Sequence, residues 1–295
     1  MCDNDSLDDM IDYQLKAGLR SGELSRRQFG ALTLGAGMMS ILPPVANAAE
    51  VTESEVEIKT PDGTCDAHFV HPTTGAHAAV LVWPDIFGLR PAFRQMGKRL
   101  AESGYAVLTV NPFYREKKSP VAERASMQDP EVRTELFRLA GTLTAETANT
   151  DAKAFVNWLD AQSSVDKKRK IGTTGYCMGG PLTMRTAAAV PNRIGAGASF
   201  HGGNLVTDKP DSPHLLVPKI KAHYLFAIAS NDDERDPKAK DALREAFAKA
   251  SLPAEIEVYA GALHGWCPPD SQVYNQEAAE KAWARMLALF KTALA

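Results

Sequence analysis

The stretch K-I-G-T-T-G-Y-C-M-G-G-P at residues 170–181 constrains this chain more than any other. A strand-like run over 170–174 meets Gly175, then Cys177 bracketed by Gly175 and Gly179, then a helical pattern from Gly180 onward. Strand, tight turn and helix in that order predict a nucleophile elbow, whose apex residue is strained and pushed out at the top of a sheet. The flanking glycines belong there because a Cβ would strike the neighbouring strand or helix. The Met178 N–H then points at the place where an oxyanion would form, beside the positive end of the following helix. A G-x-C-x-G pentapeptide also arises at helix-packing contacts, and cysteine is often a small buried hydrophobe, so partners elsewhere must decide its role.

The body of the chain alternates strand and helix patterns. Residues 56–60 and 65–71 flank the turn Pro61-Asp62-Gly63 and read as an antiparallel hairpin at a sheet edge. Residues 78–83 form a continuous apolar run ending in P-D-I-F-G-L, as expected of a strand buried on both faces. A helix over 91–103 and a buried strand over 105–110 follow. The polar stretch 113–141, with Pro120 and Pro130, is long for a connection and has room to overhang the strand ends. After a helix over 144–162 come the elbow, a strand at 196–201, an irregular Pro-rich stretch, a strand at 223–229, a helix at 237–250, a strand at 255–259 and a last helix from about 274. This alternation predicts one α/β domain, a mostly parallel sheet with helices on both faces; the nucleophile elbow within it is the mark of the α/β-hydrolase fold.

In such a sheet functional groups gather at the carboxyl ends of the strands, where the loops holding Asp85, Cys177, Asp232 and His264 fall. Asp232, in A-S-N-D-D, can orient an imidazole, although a turn or helix-cap role is common for such a carboxylate and suits Asp233 or Asp236 better. His264 lies in a glycine-flanked loop after the last strand and is a better candidate base than His223 on an apolar strand face. The order nucleophile, acid, histidine is that of the α/β-hydrolase triad. A free thiol is only slightly ionised at neutral pH, so a histidine must take or hold its proton and a carboxylate must fix the tautomer.

The N-terminus is of another kind. Ser25-Arg26-Arg27-Gln28-Phe29-Gly30 leads into an uncharged run to Leu42, and Ala46-Asn47-Ala48 closes the segment. About 14 apolar residues fall short of the roughly 20 that span a bilayer. The pattern resembles a twin-arginine export signal with cleavage before Ala49, so residues 1–48 are set apart as signal peptide and 49–295 as the folded domain. That implies recognition of residues 25–48 by the export machinery, a periplasmic or secreted location and no stable membrane anchor. The alternative is an Arg-Arg pair capping an amphipathic helix, which the absence of a polar face disfavours. Without this segment 29 basic residues face 30 acidic ones, a balance that argues against nucleic acid as partner. The four cysteines show no metal-ligand spacing and are too few for a disulfide scaffold.

Gly-Tyr-Cys-Met-Gly-Gly, the upstream Pro-Asp-Ile-Phe-Gly-Leu, the acid loop and the His264 loop together resemble the dienelactone hydrolase (carboxymethylenebutenolidase) family from about residue 56 to the C-terminus. The resemblance implies an ester or lactone substrate, Cys177 as nucleophile with Asp232 and His264, the Ile86 and Met178 N–H groups as oxyanion hole, and no metal or cofactor. It implies further that Asp85, where the family carries glutamate, contacts the resting thiol. Of two arginines that hold a substrate carboxylate in this family, one position is Pro268 here, and the other is met by Arg115 beside Tyr114, displaced by about one position. Half the anion clamp is absent, which makes dienelactone itself a doubtful substrate. Two other readings compete: an exported non-catalytic binding protein on the same fold, and a redox protein, which the absence of a second cysteine in C-x-x-C reach disfavours.

Overall fold

A computed structural model describes residues 42–123 and 126–295. The predicted hairpin is present and longer than its apolar pattern: β1 (Val51–Thr60) pairs antiparallel with β2 (Gly63–Pro72), Thr60 opposite Gly63. Residues 51–55 read V-T-E-S-E, too polar for a buried strand, but β1 is the sheet edge and only Ile58 in it is buried. An edge strand needs a partner on one side and tolerates charge on the other.

The remaining strands are β3 (Ala79–Trp83), β4 (Ala106–Val110), β5 (Ile171–Tyr176), β6 (Ile194–Phe200), β7 (His223–Ala229) and β8 (Ala254–Tyr259). Among the described residues eight strands lie in the order β1-β2-β4-β3-β5-β6-β7-β8, and all are parallel from β4 to β8. The α/β fold expected from the alternation of elements is therefore observed. Alternate residues of β3 face opposite layers. Val80 and Val82 pack with α1 (Pro91–Glu102) and the C-terminal helix, while Leu81 and Trp83 pack with the helices of the other face. That face carries α2 (Pro130–Gly141), α3 (Ala145–Asp160) and α4 (Gly179–Ala189). After the short α5 (Ser230–Arg235), α6 (Ala239–Lys249) joins the same layer, and α7 (Gln276–Ala293) joins α1 on the first.

Two local expectations change. The stretch 113–141 is not wholly irregular, because Pro130 starts a helix instead of interrupting the chain. It sits in the first turn of α2, where its missing N–H costs nothing, and the Asp129 side chain caps the helix by accepting from the Glu131 and Val132 N–H groups. The acid loop after β7 is the helix α5, with Asp232 in its first turn, where a carboxylate complements the helix dipole.

Candidate active site

The elbow forms where the sequence places it. Cys177 has φ of 53°, a left-handed conformation uncommon for a residue with a Cβ, and its N–H donates to Phe200 O at 3.0 Å. Two glycines make the turn possible. A Cβ on Gly175 would lie 2.0 Å from Gly179 O, and one on Gly179 would lie 2.3 Å from Trp83 O and 2.7 Å from Pro84 O. The second contact means that the start of α4 presses directly on the end of β3. Met178 precedes Gly179 and Ile86 follows Pro84 by two residues, and among the described residues neither N–H donates to an acceptor within the protein. Both residues are buried, and they remain the candidates for an oxyanion hole.

His264 arrives from the loop after β8. Its Nδ1 lies 2.7 Å from Asp232 Oδ2, and its backbone N–H donates to Asn231 Oδ1 at 2.8 Å. Ser230 ties the same two loops together, donating from its N–H and its Oγ to Ala262 O. Burial works against the imidazolium, but the Asp232 carboxylate and then the Cys177 sulfur outweigh it and hold His264 up at about 10. Asp232 fixes one ring nitrogen, and the interaction with Cys177 places the thiol on the same imidazole. The geometry thus brings Cys177, Asp232, His264 and both oxyanion candidates together. His223 lies at the amino end of β7, away from them.

Asp85 does not do what the resemblance implied. Its Oδ1 accepts from Arg90 Nη1 at 2.6 Å and from the Phe87 N–H at 3.0 Å, and its Oδ2 accepts from Arg90 Nη2 at 3.0 Å. Its carboxylate turns onto Arg90, and among the described residues no hydrogen bond joins it to the Cys177 thiol. Burial holds the Asp85 carboxyl above its ordinary range, and Arg90 offsets only part of that rise. Arg90 itself stays charged: burial opposes this, and Asp85 and Asp270 outweigh it.

Tyr114 and Arg115 are likewise committed elsewhere. The Tyr114 hydroxyl lies 2.7 Å from both Asp151 Oδ1 and Thr60 Oγ1, and Arg115 donates to both oxygens of Asp151 and to Asp62. These partners belong to α3 and the β1–β2 turn. The pair ties the loop after β4 to the hairpin turn and to α3.

Two nearby residues escaped the sequence reading. His201, at the end of β6, is fully buried and has φ of 40°. The signal was available in F-H-G-G, a histidine before paired glycines at a strand end, the same context that singled out His264. Arg90 directly precedes the helix expected over 91–103, and nothing local betrays its partners. The other described cysteines are free and buried, and burial pushes the thiols of Cys65 and Cys267 up, away from nucleophilic use. Cys267 lines a cleft of about 330 Å³, counting its open mouth, with Leu42, Arg99 and Trp283, and Cys177 and His264 are not among its walls.

Comparison with known proteins agrees with this architecture. The dienelactone hydrolase family model matches residues 65–294. A protein of Methylorubrum extorquens with a provisional carboxymethylenebutenolidase name is 26% identical over 297 residues, covering 95% of this chain and 97% of that protein. A carboxymethylenebutenolidase of Rhodococcus opacus is 26% identical over 261 residues, covering 83% of this chain and 94% of its own length. A Klebsiella pneumoniae structure, provisionally titled a dienelactone hydrolase, superposes with a TM-score of 0.72 at 25% identity, over 82% of this chain and 99% of that one. With most of the chain inside the family model and the elbow, acid and histidine loops at the strand ends, this chain belongs to the dienelactone hydrolase family and is an α/β-fold hydrolase.

Proposed function

We propose that the protein hydrolyses an ester or lactone through Cys177, with His264 as acid and base and Asp232 as its orienting carboxylate. The observation that carries this reading is the strained Cys177 beside an imidazole that Asp232 holds at 2.7 Å, with the unaccepted N–H groups of Ile86 and Met178 alongside. The sulfur, as thiolate, attacks the carbonyl carbon, and the oxyanion takes hydrogen bonds from those two N–H groups. The C–O bond to the leaving group breaks, and the His264 imidazolium gives the departing oxygen its proton. A water then attacks the thioester while neutral His264 takes its proton, the C–S bond breaks, and the acid leaves with the thiolate and imidazolium restored.

Arg115 is engaged by Asp62 and Asp151, and Pro268 stands at the other expected arginine position. The substrate is therefore an ester or lactone whose binding does not depend on that pair of arginines. Arg26-Arg27 and Ala46-Asn47-Ala48 support export by a twin-arginine route to the periplasm or beyond; the arginines lie outside the described residues. The catalytic reading is tested with a series of p-nitrophenyl esters and small lactones. Wild type is expected to turn them over, with a burst of p-nitrophenol when release from the enzyme is slow, and Cys177→Ala is expected to be inert. Equal turnover by wild type and Cys177→Ala would exclude Cys177 as nucleophile.

A further inference from the structure

We infer that Arg90 is a positioning residue that holds the loop carrying Ile86 against the loop carrying His264. This rests on the acyl-transfer reading only for its catalytic consequence. The strands that launch these loops are far apart. Between β3 and β8 lie β5, β6 and β7, so at about 4.8 Å per strand the two ends are roughly 19 Å distant. Arg90 closes the gap. Its Nη1 donates to Asp85 Oδ1 and, at 3.4 Å, to Gly88 O, and its Nη2 donates to Asp85 Oδ2. Its opposite edge donates to Asp270, Nε to Oδ2 at 2.6 Å and Nη2 to Oδ1 at 2.9 Å. Asp85 and Gly88 flank Ile86; Asp270 follows His264 by six residues.

Local preference does not account for an arginine here. Residue 90 is the N-cap of α1, makes no side-chain cap, and puts a cation at the positive end of the helix dipole. The side chain is 5% exposed, and its guanidinium lies over the Phe93 ring at 4.9 Å, which in turn packs edge-on against Tyr176, the residue before Cys177. A planar fork with donors on two edges holds two carboxylates bidentately in one fixed plane; lysine, a point charge with three rotating donors, cannot fix both in that way. The bridge therefore sets the distance between an oxyanion donor and the base. Misplacement of such a donor by about 1 Å costs on the order of a hundredfold in rate.

Asp270→Asn and Arg90→Lys test this in the full chain, the first cutting only the link to the histidine loop in case the second folds poorly. Amide hydrogen exchange in Asp270→Asn is expected to accelerate together in residues 85–89 and 262–271 and to stay unchanged in β5 and α4. Ester kcat is expected to fall about tenfold or more with KM nearly constant, while alkylation of Cys177 by iodoacetamide, which needs no oxyanion hole, stays within about threefold of wild type. Unchanged exchange at residues 85–89, or kcat at wild-type level in both variants despite lower thermal stability, would make the bridge purely structural and overturn the inference. An equal fall in turnover and alkylation would place the effect on the thiol and imidazole and overturn it too. If wild type hydrolyses no ester, the acyl-transfer reading falls, and the exchange experiment alone decides the bridge.

Discussion

His201 lies edge to face with His264, ring centroids 5.1 Å apart, and fills the space between the strands that supply Cys177 and Asp232. That space exists because β6 runs between β5 and β7. Its last residues brace both neighbours: Phe200 O accepts from the Cys177 N–H, and the His201 N–H donates to Ala227 O. Trp266 also packs edge to face with His201, at 5.1 Å. His201 is thus the wedge against which the His264 ring is set.

If packing is what His201 supplies, a ring of similar size should serve. His201→Phe is expected to keep kcat within about threefold, whereas His201→Ala should lose roughly 2–4 kcal/mol of stability and lower kcat more than tenfold as His264 tilts into the gap. Burial, and then the charge of His264, hold His201 well below its ordinary value. Its unfolded form therefore takes up a proton near pH 6.5 that the native form refuses, and stability falls as pH drops below that value. His201→Phe removes this loss, so its stability advantage over wild type should grow on acidification. Urea unfolding between pH 5 and 8 measures both effects, and a variant gap that ignores pH would refute the burial argument.

His264 titrates in the opposite sense. Its native pKa of about 10 stands above the unfolded value of 6.5, so its contribution to stability is fully present below about pH 6.5 and is lost as pH rises through 10. Burial alone would lower it, and Asp232 is the largest cause raising it. Asp232→Asn should bring the imidazole pKa down, which nitrogen-detected NMR of the ring would report directly. An unchanged titration in that variant would mean that Asp232 is not what keeps the imidazole charged.

Gly179→Ala tests the junction between the elbow and the loop that carries Ile86. The added methyl meets backbone at Trp83 O, Pro84 O and Trp83 C, all under 3.0 Å, and backbone cannot rotate aside. Overpacking of this kind costs about 1–3 kcal/mol or more. It also pushes the end of β3 away from Met178, so esterase kcat in the folded fraction should fall by more than the loss of folded protein explains. Circular dichroism with active-site titration separates the two.

Export is tested by replacing Arg26 and Arg27 together with lysine. Full-length precursor is expected to accumulate inside the cell. Mature protein beginning at Ala49 and found outside the cytoplasm in that variant would refute the twin-arginine route.

The residues whose roles are set by local backbone geometry were legible in the chain itself. Gly175 and Gly179 around Cys177, a helical period after a strand, and a histidine in a glycine-flanked loop after the last strand each encode their place within a few residues, because tight turns and strand ends tolerate few side chains. Their shared position at the carboxyl ends of parallel strands follows from the alternation of elements alone. Asp85, Arg90, Arg115 and His201 are different. Each is a polar or charged side chain several bonds long, and burial obliges it to find a partner or a close neighbour wherever the fold supplies one. Asp270 is 180 residues from Arg90 and Asp62 is 53 from Arg115. Those choices depend on strand order and on how far the loop after β8 folds back, which no window of the sequence contains. The sequence by itself determined the glycine-flanked turn that carries Cys177 and the order of the Asp232 and His264 loops after it; only the tertiary structure decided which carboxylates hold the arginines and which histidine packs against His264, because those contacts join strands that are distant in the chain.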